Sequence, residues 1–131
     1  MKKQIKKQTR QLTDYDHNVL LPILIKGLEM KKGRMNAVTS KQIVQGLQSQ
    51  GLKISHRDVC SLINHIRTND LVVGLVSSFS GYYITNSEQD FMNYEDTLLA
   101  REKSIRKVRM SIQRQRRAMF SQIEPRQTQL F

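Results

Sequence analysis

The stretch Ser55–Thr68, SHRDVCSLINHIRT, decides how the rest of the chain is read. Val59, Leu62, Ile63 and Ile66 recur at spacings of three and four, which predicts one apolar stripe on an α-helix. Arg57, Ser61, Asn64, His65 and Thr68 fall on the other side. Ser55 followed three residues later by Asp58 is a variant of the capping box, with an acid in the positively polarised first turn. A helix that buries one face and turns Arg, Asn, Ser, His and Thr outward carries the side chains that hydrogen-bond base edges and phosphates.

Upstream, Gly51-Leu52-Lys53-Ile54 makes a short link back to a second capped helix. There Thr39 and Gln42 form a T-x-x-Q box, and Ile43, Val44 and Leu47 supply an apolar face before Gly51 stops the helix. Two capped helices joined by a short Gly-containing turn are a helix-turn-helix pattern. Farther upstream, Asp14–Asn18 offers N-cap candidates, and the apolar run Val19–Ile25 opens a first helix in which Pro22 is tolerable only near the start. That helix is expected to end near Lys32, with Gly33 as the left-handed residue after it and Lys31, Lys32 and Arg34 clustered at its end. Met35–Thr39 reads as a brief extended segment.

Downstream, Asn69-Asp70 breaks the helix and the β-branched run Leu71–Val76 predicts a strand. Ser77–Gly81 is a turn, and Tyr82–Thr85 the returning strand. Ser87 and Asp90 then start a helical stretch reaching about Ser121. The expected fold is mainly α with a small β-hairpin: a winged helix-turn-helix over residues 14–86, followed by a long basic amphipathic helix over 87–122. A flexible basic arm, 1–13, precedes it, and a flexible tail, 123–131, ends it.

The long helix has its own regularity. Phe91, Leu98, Ile105, Ile112 and Met119 are spaced by seven, while the positions three later are Tyr94, Arg101, Val108, Gln115 and Gln122. That is half of a coiled-coil seam. Phe91, Tyr94 and Leu98 are expected to pack on the domain. The later part is open to three readings: a homodimer contact, a helix lying along a partner surface, or a solvated helix.

Net charge is +11 over 131 residues, and its distribution matters more than its size. Residues 1–12 hold five Lys/Arg and no acid, residues 13–100 eight against nine acids, and residues 101–131 nine against two. A near-neutral middle between cationic ends suits a polyanion, of which nucleic acid is the commonest for a soluble chain. The plainer alternative is that the ends only confer solubility. Cys60 is the single cysteine, which excludes an intrachain disulfide and favours a reducing cytoplasm. It is expected to be a small buried or boundary residue. The basic start, MKKQIKKQTRQL, has no apolar segment of signal-peptide type behind it, and Val19–Ile25 is too short to span a bilayer.

Asn64–Thr85, NHIRTNDLVVGLVSSFSGYYIT, resembles the end of the recognition helix plus the wing in small winged-helix proteins common among phages and prophages. The likeness spans about residues 18–100 and implies the fold more strongly than a function, since winged helices also dock proteins. One departure is that Ser77–Gly81 holds no Lys or Arg, whereas wings that enter a minor groove usually carry one. The end of the chain, Gln127-Thr128-Gln129-Leu130-Phe131, resembles the short peptide by which bacterial replication and repair proteins dock on the sliding clamp. That likeness implies Gln127 on a polar rim, with Leu130 and Phe131 in an apolar pocket; Thr128 stands where the peptide often has Leu.

The candidate DNA contacts are therefore Arg57 to guanine, Asn64 to adenine, and His65 or Ser61 to a phosphate, with Thr68 and Lys41 as further DNA-binding residues. Arg106, Arg109, Arg114, Arg116 and Arg117, with Arg101, Lys103 and Lys107 among them, would make a phosphate-binding helix. Catalysis finds little support. His56 and Cys60 are one helical turn apart, but no further ligand completes a metal site, no Gly-rich phosphate loop is present, and no cofactor is expected. The expectation is a non-enzymatic DNA-binding protein of phage or mobile-element type, acting in replication or its regulation. The alternative is a protein-docking adaptor or a transcriptional regulator.

Overall fold

The computed structural model describes residues 11–121, which form a mainly helical chain with one small antiparallel hairpin. The chain divides into two units, one ending at Tyr94 and the other beginning at Glu95. The basic arm and the QTQLF tail lie outside the described residues, apart from Gln11–Thr13.

The first unit opens with a cap the sequence reading placed too late. Thr13, not a residue of Asp14–Asn18, starts the helix: Asp16 N–H donates to Thr13 Oγ1 at 3.1 Å, and Thr13 N–H donates to Asp16 Oδ2 at 2.9 Å. A π-helical segment, Asp16–Leu20, follows and leads into α1, Leu21–Glu29. Pro22 thus sits well inside a continuous helical stretch. The wider turn, closed by Leu21 N–H on Asp16 O, lies where an α-helix would meet the proline ring and its missing N–H.

α1 ends at Glu29, three residues before the expected end, and Gly33 is not its C′ residue. Gly33 has φ +86° and ψ 149°, and its N–H donates to Ile84 O at 2.9 Å, while Ile84 N–H donates to Lys31 O at 2.7 Å. Pairing with the hairpin takes the backbone that the helix would have used. After a 3₁₀ turn at Arg34–Asn36, Val38 exchanges two backbone bonds with Tyr82, at 2.9 and 2.8 Å. The extended segment expected over Met35–Thr39 is therefore reduced to a single antiparallel bridge.

α2 is Ser40–Ser49 and α3 is His56–Thr68, and both expected capping boxes are formed, Thr39 with Gln42 and Ser55 with Asp58. Both helices end alike. Leu52 N–H reaches Leu47 O and Gly51 N–H reaches Gln48 O; Leu71 N–H reaches Ile66 O and Asp70 N–H reaches Arg67 O. These are Schellman closures, with Gly51 (φ +86°) and Asp70 (φ +54°) in the left-handed position. The second closure consumes Leu71, so the first strand starts late. β1 is Leu75–Ser78, not 71–76, and β2 is Gly81–Ile84, joined through the two-residue tip Phe79-Ser80.

The core gathers Leu20, Leu24 and Leu28 of the first helix, Ile43 of α2, Ile54, the four stripe residues of α3, and Val72 and Leu75. Val59, Leu62, Ile63 and Ile66 are each at most 2% exposed. Each such burial is worth roughly 1.5–3 kcal/mol, so the stripe holds α3 in a fixed rotation. α4, Glu88–Phe120, begins as the S-x-x-D signal predicts, with Asp90 N–H donating to Ser87 Oγ at 3.3 Å. Asp90 Oδ2 accepts instead from the hydroxyls of Tyr83 (3.2 Å) and Thr85 (2.8 Å) on the hairpin. The first two turns of α4 belong to the first unit, eight residues beyond the expected boundary at 86. Leu98, expected to pack on the domain, lies in the second unit and is 43% exposed. Among the described residues no helix is long and apolar enough to cross a membrane.

Candidate nucleic-acid interface

The rotation of α3 decides which of its side chains can meet a ligand. With Val59, Leu62, Ile63 and Ile66 inward, Arg57, Asn64 and Thr68 are exposed and Ser61 is half-buried. Helical spacing places these four within one quarter of the circumference, opposite the stripe. Cys60 also points outward: one residue on from Val59 is a 100° rotation, which carries its side chain off the stripe, so the expectation of a buried or boundary position is corrected. Thr68 Oγ1 donates to Asn64 O at 2.9 Å and accepts from Asn69 Nδ2 at 3.4 Å, so its hydroxyl is already engaged on both sides.

His65 stands apart from the other candidates. It is half-buried on one flank, its ring meets that of His17 edge-on at 5.3 Å, and Asn69 Nδ2 lies 3.3 Å from its Nδ1. The structure thus ties His65 to the first helix and does not place it in the Arg57–Asn64–Thr68 face.

The opposite flank holds a residue that the sequence reading passed over. Arg67 donates to Ser77 Oγ of β1, and its guanidinium lies 5.3 Å from the ring centre of Tyr82 and 5.1 Å from that of Tyr94. One side chain therefore ties α3 to both strands of the hairpin and to the start of α4. Of the two arginines on α3, Arg57 is turned to solvent and Arg67 is committed to the fold. Arg34 makes a lesser version of this contact, 5.7 Å from the centre of the Tyr83 ring.

The turn between α2 and α3 is held from two sides. Lys53 N–H donates to Tyr15 Oη at 3.1 Å, and Gln48 Nε2 donates to Ile54 O at 2.9 Å. Lys41 is exposed in the first turn of α2, where the helix dipole favours anions. At the hairpin tip Phe79 is 95% exposed, a second feature missed in the sequence. Its signal was there: an aromatic in a two-residue tip between serines has no strand partner to cover it.

In the second unit Arg106, Arg109, Arg114, Arg116 and Arg117 are all exposed on α4. Five of the basic residues there, Lys103, Arg106, Lys107, Arg114 and Arg117, take heptad positions away from the Leu98–Ile105–Ile112–Met119 line, and Arg109 and Arg116 flank it. Gln127, Leu130 and Phe131 lie outside the described residues. Comparison of the chain with protein-family models, with curated proteins and with solved structures finds no match.

Proposed function

We propose that the first unit is a winged helix-turn-helix and that the protein binds DNA without catalysing a reaction, in replication or its regulation, in the manner of the phage and mobile-element proteins that Asn64–Thr85 resembles. The observation that carries this reading is the outward quarter of α3, where Arg57, Ser61, Asn64 and Thr68 stand together on a helix fixed by a capping box, a buried stripe and the Arg67 tie. The element order also supports it, with Val38 bridging to β2 of the hairpin as the short first strand of such a domain would. α3 would enter a major groove, with Arg57 on guanine and Asn64 on adenine, and α2 would cross the backbone with Lys41 near a phosphate. Phe79 supplies an apolar tip where a basic one is missing, of the kind that wedges against base steps.

Sequence-independent affinity would come from the cationic ends, because residues 13–100 carry one more acid than base. The QTQLF end would recruit the protein to a sliding clamp through Gln127, Leu130 and Phe131. The test is fluorescence anisotropy with duplex DNA from 50 to 200 mM salt. Binding should weaken by about a hundredfold or more over that range. Arg57→Ala with Asn64→Ala should erase preference among sequences while leaving most of the bulk affinity. A salt slope near zero would remove the DNA reading.

A protein-docking role is the second reading, favoured by an open apolar groove of about 270 Å³ between α1 and α2, lined by Ile23, Leu24, Gly27, Ile43, Gly46 and Leu47.

A further inference from the structure

Helix α4 beyond Tyr94 presents an exposed apolar line: Leu98, Ile105, Val108, Ile112 and Met119 are between 43% and 69% exposed. The flanks of that line say what would cover it. On one side, the residue four after each heptad start is Glu95, Glu102, Arg109 and Arg116, acidic in the first half and basic in the second. On the other side, the residue six after each start is Thr97, Ser104, Ser111 and Ala118, all small.

We propose that residues 95–120 pair with the same segment of a second copy as an antiparallel coiled coil. Antiparallel pairing sets like flanks against each other, head to tail. Glu95 then faces Arg116 of the second copy and Glu102 faces Arg109, and the two-fold axis repeats both pairs. The small flank closes on itself, Ser104 against Ser111 and Thr97 against Ala118, which lets the backbones approach. At the centre Ile105 meets Val108 of the second copy, twice. The next layers pair Leu98 with Gln115 and Ile112 with Arg101, polar positions that weaken the dimer but fix its register.

Parallel pairing has none of this complementarity. It would set Glu102 beside Thr97, Arg109 beside Ser104 and Arg116 beside Ser111, and it would align the eight basic residues of 101–117 with their own copies. Lys103, Arg106, Lys107, Arg114 and Arg117 point away from the antiparallel seam, so pairing leaves them exposed.

The proposal is independent of the DNA reading, and its experiment contains no DNA. Sedimentation velocity of the full chain should show a concentration-dependent dimer. Glu102→Arg alone, or Arg109→Glu alone, should weaken it about tenfold by creating two like-charge pairs. The two substitutions in one chain should restore it, since each reversed residue again meets its opposite. In a Cys60→Ser background, a mixture of Ser104→Cys and Ser111→Cys chains should oxidise to the mixed disulfide dimer, with neither variant cross-linking to itself. A monomer at every concentration, an unrestored double variant, or self-cross-linking equal to mixed cross-linking would each overturn the proposal.

Discussion

Gly81 and Gly46 are the same residue with opposite consequences. At Gly81, φ is +121° and an added Cβ would lie 2.4 Å from Val38 O and 2.5 Å from its carbonyl carbon. Those atoms are backbone, held by the two bonds between Val38 and Tyr82, so they cannot move aside without breaking the bridge. Gly81→Ala should cost roughly 1–3 kcal/mol, read as a lower urea midpoint. Gly46, inside α2, has nothing within 4 Å of the same position, and Gly46→Ala should raise stability by about 0.5–1 kcal/mol. The turn over Ser77–Gly81 was legible, but the need for glycine at its end was not, because Val38 is distant in sequence. Arg67 was illegible for the same reason: its partners Ser77, Tyr82 and Tyr94 meet only after the hairpin folds back.

Among the elements, boundaries set by contacts a few residues apart were read better than boundaries set by distant partners. The Thr39, Ser55 and Ser87 starts lie where local patterns place them, because a cap is a contact between residues three apart. Ser55→Ala should remove about 1 kcal/mol by leaving the Asp58 N–H without its acceptor. Circular dichroism in a urea titration would register that loss, and Ser55→Asp, which keeps an acceptor, should recover most of it. The end of α1 and the start of β1 were misread, because competing backbone partners decided them. Ile84 takes Lys31 and Gly33 out of the first helix, and the Schellman closure at Asp70 takes Leu71 out of the strand. Hydrophobic pattern alone carries no information about which carbonyl an N–H will find.

For the whole molecule the distribution of charge sets the expectation. The outward face of α3 is polar but weakly charged, so preference among sequences and overall affinity should separate. Arg106, Arg114 and Arg117 changed together to Gln should lower the salt slope of duplex binding by as much as about 3, with preference unchanged. Thermal unfolding should stay nearly constant, since all three side chains are exposed.

The sequence by itself determined the order of helices and hairpin, the buried stripe of α3, its outward Arg57 and Asn64, and the placement of charge at the two ends. Each of these follows from periodicity or from contacts within four residues. Tertiary structure alone decided that His65 leans on His17, that Arg67 serves as a tie and that Gly81 admits no side chain. Those outcomes depend on which distant backbone and side-chain groups share space, and no local spacing encodes that.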